Sequence, residues 1–126
     1  MIFTLLADTF AIVRLPAESD IPSWPAGELV SITRTAHELS IVCSEMAVPA
    51  GVHGDRGWQC LRLEGPIPLK AVGMAAEFTA LLAKAGVSVF IISTFDTDYL
   101  LVKGDAFEKA ADALKSGGHS VRRAHK

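Results

Sequence analysis

The sequence predicts an α+β protein built from two related halves. Residues 10–15 are similar to residues 58–63, and residues 32–42 align without a gap on residues 92–102. Each longer segment contains an apolar run, a hydroxyl-rich break, an acid and a second apolar run, which is the pattern of a β-hairpin. Because both similarities occur in the same order along the chain, we predict an internal repeat rather than chance likeness between hairpins.

The first half is predicted to consist mainly of strands. Short apolar runs predict them at 2–6, 10–15, 28–34 and 38–45. Three prolines in residues 15–27 permit at most one helical turn there. The glycine-rich segment 46–57 predicts a loop that joins the halves, so we place the subdomains at residues 1–57 and 58–126.

The second half alternates strands and helices. We predict strands at 58–63, 87–93, 98–103 and 119–122, and helices at 70–85 and 105–116. This βαββαβ order is that of a ferredoxin-like unit, an antiparallel sheet with both helices on one face. The apolar spacing of the first helix predicts a core-facing stripe of Val72, Ala75, Ala76, Phe78, Thr79 and Leu82. The first half then corresponds to a copy of the same unit with reduced or missing helices.

Composition excludes several classes of protein. Half of the 126 residues are hydrophobic, which argues against disorder, and the net charge of −2 leaves no basic stripe for nucleic acid. No apolar run has the length of a membrane span. Cys43 and Cys60 lack the spacing of a redox or metal motif, so we expect buried free thiols and a cytoplasmic protein. The basic tail 115–126 reads as a solvated chain end.

The segment 87–102, preceded by Gly65-Pro66-Ile67-Pro68, resembles tandem ACT domains, above all the aspartokinase regulatory region and the CASTOR arginine sensor. Residues 33–42 resemble the matching segment of the first ACT-like half. The resemblance covers roughly residues 10–121 and departs from the family where the first half lacks helices. It implies an allosteric sensor without catalytic activity, which binds an amino acid between paired domains and acts through a homo-oligomer or a regulated partner protein.

One candidate ligand contact is the turn containing Gly65, Pro66 and Ile67. This turn ends a strand and opens a helix, and main-chain N–H groups at a helix start attract a carboxylate. Proline has no N–H group, so a plain strand-to-helix turn is the alternative reading. The family resemblance favours the binding role.

Two hairpin turns complete the candidate ligand site. Its members are Ser93, Thr94, Phe95 and Asp96 in the second half, and Thr33, Arg34 and Thr35 in the first. Together they offer an acid for an ammonium group, hydroxyl and guanidinium donors for a carboxylate, and an apolar wall. The alternative is ordinary turn chemistry, with Arg34 as a solvated edge charge.

Two other functions remain open from the sequence. His53 and Asp55 lie close together in the glycine-rich loop and suggest a small enzyme, although no nucleophile motif or metal-ligand spacing accompanies them. A structural dimerisation module without a ligand is the other alternative. We expect no cofactor, no metal and no catalytic residues.

Overall fold

The computed structural model describes residues 1–68 and 71–124. The strands are β1 (Ile2–Leu5), β2 (Phe10–Leu15), β3 (Ser31–Arg34), β4 (Leu39–Ser44), β5 (Asp55–Leu63), β6 (Phe90–Ser93), β7 (Asp98–Lys103) and β8 (Ser120–Arg123). The helices are α1 (Met74–Lys84) and α2 (Phe107–Ser116), with 3-10 turns at Glu45–Ala47 and Gly104–Ala106. The α+β prediction is therefore confirmed. Lys70, the predicted start of the first helix, and Lys126, at the end of the basic tail, lie outside the described residues.

The chain forms two compact units. The N-terminal unit is Asp8–Trp58, and the C-terminal unit comprises Met1–Ala7 together with the chain from Gln59 onward. The sequence assigned the first strand to the N-terminal half, whereas the structure places β1 in the C-terminal unit. This placement satisfies the alternating apolar pattern of β1, because Phe3 and Leu5 are buried in the core of that unit.

In the C-terminal unit, β5 pairs with β1 and β7, and β7 pairs with β6. The β1–β5 pair is antiparallel, with Phe3 opposite Leu63, but the β1–β8 pair is parallel, with Phe3 opposite Val121. The prediction of a purely antiparallel sheet was therefore wrong. The sheet is mixed because β1 lies between β5 and β8, where a ferredoxin-like unit would pair those two strands directly.

Both helices pack on one face of this sheet, as predicted. Their buried residues join alternate strand residues in one core, which includes Phe3, Leu5, Leu61, Leu63, Phe78, Leu82, Leu100, Val102, Ala110, Ala111 and Leu114. Strand side chains alternate between the two faces, so every second residue of β1, β5 and β7 contributes to this core.

The predicted apolar stripe of α1 is only partly correct. Phe78 and Leu82 are buried and Thr79 is partly buried, but Ala75 and Ala76 are exposed. Val72 precedes the helix and is 94% exposed. The helix begins after Gly73, whose φ of 82° is in the left-handed region that favours glycine. With this late start, Ala75 and Ala76 of the first turn are exposed, and Met74 is only partly buried against the core.

The N-terminal unit has few helical residues, as expected. Its strand β2 pairs antiparallel with β4 over its whole length. On the other side of β2, Phe10 lies opposite Trp58 and Ile12 opposite Asp55, the first residue of β5. Within Asp8–Trp58 the helical structure consists of the 3-10 turn Glu45–Ala47. A small core forms from Ala11, Val13, Leu39, Ile41, Cys43 and Val48.

The two predicted hairpins occupy equivalent places in the strand order, which runs β3-β4-β2 and β6-β7-β5. Their structural correspondence differs by one residue from the ungapped sequence match. Arg34 pairs with Leu39 and Ser93 with Asp98, so residue 34 corresponds to 93. The first turn residue fixes this register: the N–H of Thr35 donates to the carbonyl of Glu38 at 2.9 Å, and that of Thr94 to Thr97 at 2.9 Å.

The first strands of both hairpins are shorter than predicted. The pattern predicted strands from residues 28 and 87, and they begin at Ser31 and Phe90. Phe90, Ile91 and Ile92 are half-buried rather than buried. Among the described strands, β6 pairs only with β7, so its outer edge lacks the neighbour that a central strand has.

Candidate functional site

A pocket of about 340 Å³ lies in the C-terminal unit, between the start of α1 and the turn that joins β6 to β7. Its walls come from the segment before α1, the first turn of α1 and the hairpin turn. The lining residues are Ile67, Pro68, Ala71, Gly73, Met74, Ala75, Ala76, Ser93, Thr94, Phe95, Thr97 and Asp98. Polar and apolar residues therefore line the same pocket.

The first turn of α1 lines the pocket and carries main-chain N–H groups that the helix itself leaves without a partner. Gly73 precedes the helix, and no side chain of residues 1–68 or 71–124 caps its N-terminus with a hydrogen bond. The first N–H groups of a helix have no partner within the helix, because the earliest bond here runs from Glu77 N–H to Gly73 C=O at 3.1 Å. The helix dipole adds partial positive charge at the same place. An anionic group such as a carboxylate is the complementary ligand.

The opposite wall is fixed by hydrogen bonds. Thr97 is buried, and its hydroxyl donates to the carbonyl of Leu63 at 2.6 Å. The N–H of Ile67 donates to the carbonyl of Asp96 at 2.7 Å, which ties the segment before α1 to the hairpin turn. A Cβ atom on Gly65 would lie 3.0 Å from the nitrogen of Ile67 and 3.1 Å from the carbonyl oxygen of Asp96. Glycine at this position permits the close approach of the two segments.

The pocket combines an acid with apolar surfaces. Asp98, the first residue of β7, is half-buried and carries the only carboxylate among the described lining residues. Ile67 and Met74 are partly buried and also pack against the core, whereas Phe95 is 79% exposed. The site therefore has an N–H-rich end, a carboxylate and an apolar wall, which match the three parts of an apolar amino acid.

The structure brings together four of the residues predicted from the C-terminal half, namely Ile67, Ser93, Thr94 and Phe95. Gly65, Pro66 and Asp96 are exposed neighbours of the lining segments, and Asp96 contributes its main-chain carbonyl to the turn.

The site predicted from the sequence did not include the first turn of α1. Its hairpin segment ended at Asp96 and so left out Thr97 and Asp98, which follow directly in the same polar stretch. The apolar period of the helix predicts Ala75 and Ala76 in the core, whereas the structure places them at the pocket. The signal that marks them as pocket residues is Gly73, a residue that favours a helix boundary just before them.

Thr33, Arg34 and Thr35 lie in the N-terminal unit and are exposed. The Arg34 guanidinium donates to the carbonyl of Ala17 and, at 2.7 Å, to that of Ser19. The hydroxyl of Thr35 accepts hydrogen bonds from the N–H groups of His37 and Glu38 at 3.1 and 3.2 Å. Arg34 and Thr35 thus have local structural roles, and the contact of all three residues with a ligand stays a prediction.

The loop considered as a catalytic alternative has exposed side chains. His53 and Asp55 are both at the surface, with Asp55 at the start of β5. Within residues 1–68 and 71–124, no three His, Cys, Asp or Glu side chains group in a way that would hold a metal ion. Over the same residues, no helix has the length and apolarity to cross a membrane.

Family comparisons match both parts of the chain. A family model described as the ACT domain matches residues 54–116. A second model, described as an N-terminal domain, matches residues 8–51. A comparison with curated proteins found no significant match.

Several solved structures are similar to this chain over most of its length. Protein Atu0741 from Agobacterium tumefaciens is 40% identical, with 99% of this chain and 94% of that chain covered and a TM-score of 0.92. VC0802 from Vibrio cholerae, a protein of unknown function, is 25% identical over 90% of this chain and 87% of its own, with a TM-score of 0.74. The ligand-free regulatory subunit of aspartate kinase from Thermus thermophilus shares the fold at 12% identity, covering 86% of this chain and 92% of its own with a TM-score of 0.58.

Proposed function

Because this chain belongs to the ACT domain family, we propose that it is a regulatory protein that binds a free apolar amino acid in the pocket at the start of α1. The observation that carries this proposal is the convergence of an uncapped helix N-terminus and the carboxylate of Asp98 on one pocket. An amino acid is a zwitterion, so it needs both an anion-binding and a cation-binding group.

The proposed ligand is oriented by these two groups. Its carboxylate accepts hydrogen bonds from the N–H groups at the start of α1, and its ammonium group contacts Asp98. Its side chain then lies against Ile67, Met74 and Phe95. The pocket volume of about 340 Å³ is at the lower end of small-molecule sites, which span roughly 300–1,000 Å³. This size favours a ligand such as L-leucine over a nucleotide.

Further contacts come from the sequence-based hypothesis. Asp96 is a second candidate for the ammonium group, since it belongs to the same turn as the lining residue Phe95. Thr33, Arg34 and Thr35 are proposed as additional contacts by the resemblance to paired ACT domains. Alanine at Arg34 tests this, although the loss of its bonds to Ala17 and Ser19 must be separated from any loss of ligand affinity.

The regulatory role requires that the ligand binds one state better than another. We propose that the two states belong to a cytoplasmic homo-oligomer or to its complex with a regulated protein. The shared fold with an aspartate kinase regulatory subunit supports a regulatory rather than a catalytic role. Two hypotheses compete with this proposal: a catalytic role for the exposed His53, and a structural dimer that binds no ligand.

A thermal-shift screen against the twenty amino acids tests the proposal, followed by calorimetric titration of L-leucine. A ligand at 100 times its Kd adds about 2.7 kcal/mol to the free energy of unfolding. L-leucinamide, which lacks the carboxylate, is the matched control and should bind far more weakly. If no amino acid raises the melting temperature, the sensor function is wrong and the structural dimer is favoured.

A further inference from the structure

Glu77 and His119 connect the first turn of α1 to the beginning of β8. The Nε2 atom of His119 lies 2.9 Å from a carboxylate oxygen of Glu77. The imidazole is buried, with 6% of its side chain exposed, whereas the Glu77 side chain is 54% exposed. A buried ring therefore holds a carboxylate that projects from the same helical turn that forms the pocket wall.

The position of the His119 ring is determined by its surroundings. Its main-chain N–H donates to the carbonyl of Leu114 at 3.1 Å, after Gly118 has ended α2 with a φ of 91°. The ring packs edge-to-face on Phe3 and Phe78, with centroid distances of 5.7 and 5.6 Å. Its other nitrogen, Nδ1, lies 3.2 Å from the main-chain nitrogen of Met1. The ring has little freedom to turn, so Nε2 is aimed at Glu77.

The first turn of α1 has few other attachments. Within the described residues no side chain caps the helix, and Ala75 and Ala76 are exposed. Met74 packs against the core but is only partly buried, and the first fully buried residue of the helix is Phe78. A helix terminus without a cap frays readily, because its end groups lack partners. The Glu77–His119 bond is the side-chain hydrogen bond that joins this turn to a distant part of the chain within the described residues.

We propose that the Glu77–His119 hydrogen bond keeps the first turn of α1 ordered and thereby preforms the pocket. His119 is a positioning residue: its role is to hold Glu77, and through Glu77 the N–H groups of Met74 to Ala76. The contacts of Glu77 and His119 are the evidence that the bond orders the turn. The effect of this order on ligand affinity rests on the proposed function. A pocket that is formed for only part of the time binds its ligand more weakly by that fraction.

Two substitutions at His119 separate positioning from packing. In H119Q the amide nitrogen reaches the place of Nε2 and still donates to Glu77. In H119N the amide is too short to reach Glu77 and stays near the place of Nδ1. Both replace the ring by an amide. Asn leaves a larger cavity beside Phe3 and Phe78 than Gln does, and exchange in α2, which belongs to the same core, reports that packing loss separately.

Hydrogen exchange in the ligand-free protein tests the positioning directly. The amides of Glu77, Phe78 and Thr79 report the first turn, because their helical acceptors are the carbonyls of residues 73–75. We expect exchange at these amides to be roughly tenfold faster in H119N than in H119Q, with equal rates in α2. Equal rates in both variants, or equal acceleration throughout α1 and α2, would overturn the proposal.

Calorimetry with L-leucine as the probe tests the link to the pocket. We expect roughly tenfold weaker binding in H119N and E77A, with H119Q restored towards wild type. The double variant H119N/E77A should be no weaker than either single variant, since both remove the same bond. Faster exchange with unchanged leucine affinity would overturn the proposal. If L-leucine does not bind the wild type, the proposed function fails for this ligand, and the exchange data still decide the positioning.

Discussion

The buried hydroxyl of Thr97 donates a 2.6 Å hydrogen bond to the main-chain carbonyl of Leu63. Leu63 is the last residue of β5, and Thr97 is the last residue of the turn before β7. This bond connects the hairpin turn to the strand end from which the segment before α1 departs. Since both segments line the pocket, the bond contributes to the shape of the candidate site.

Replacing Thr97 by valine keeps the side-chain shape and removes the donor. We expect T97V to lower the free energy of unfolding by roughly 1–3 kcal/mol, because the carbonyl of Leu63 loses its side-chain partner in a buried place. Urea denaturation measures the change. T97S keeps the hydroxyl and should lose less. If T97V is as stable as the wild type and T97S is the destabilised variant, the methyl group rather than the hydrogen bond determines stability here.

Phe78 is fully buried and packs edge-to-face on Phe3 with ring centroids 5.0 Å apart. We expect F78A to cost about 3–5 kcal/mol through the cavity it leaves. V72A is the control, because Val72 is 94% exposed and its truncation should change stability by less than about 0.5 kcal/mol. A comparable loss in both variants would contradict the placement of these two residues.

Ala76 is exposed, lies in the first turn of α1 and lines the pocket. Leucine at this position should fill the pocket, so we expect A76L to weaken L-leucine binding at least about tenfold, a difference of roughly 1.4 kcal/mol. Its stability should stay within about 0.5 kcal/mol of the wild type. Ala80 is exposed one turn later on the same helix, so A80L is the control and should bind normally.

Asp98 and Asp96 are alternative partners for the ligand ammonium group. A charge-assisted hydrogen bond contributes roughly 1.5–3 kcal/mol, so removing the right carboxylate should weaken binding about ten- to a hundredfold. We expect this loss in D98N, because Asp98 lines the pocket. Calorimetry on D98N and D96N decides between the two. A loss in D96N alone would support the original sequence-based assignment, and no loss in either would place the ammonium group elsewhere.

Glu64 has a pKa below its usual range because it accepts a hydrogen bond from Thr4 and lies beside Arg62 and Arg122. A depressed pKa means that the folded protein favours the charged form. The stabilisation is therefore complete above the ordinary pKa of about 4.3 and is lost as the pH falls through the lower folded value.

The E64Q variant tests this pH dependence. Since the carboxylate is 31% exposed, we expect a deficit of less than about 1 kcal/mol near pH 7. The stability difference from the wild type should shrink below about pH 4. Chemical denaturation at pH values from roughly 2.5 to 8 measures this stability difference. E18Q, which removes an exposed loop carboxylate, is the control. A difference that is constant down to the most acidic samples would contradict the role of charge.

The sequence determined the local elements well. The apolar periods located α2 and most of the strands, and the two hairpins were recognised because their residue pattern depends only on neighbours along the chain. The turn residues Thr35 and Thr94 show the limit of that approach. The ungapped sequence match misaligns these two residues by one position. Hydrogen bonding within the turn, and not residue similarity, sets the register.

Only the tertiary structure decided where β1 belongs and what the start of α1 does. Pairing of Ile2–Leu5 with β5 and β8 joins residues far apart in sequence, and its stability comes from burial of Phe3 and Leu5, which no local pattern specifies. Ala75 and Ala76 have the same apolar character whether they face a core or a pocket. Their exposure follows from where the helix begins and which surface lies opposite, and both are consequences of packing.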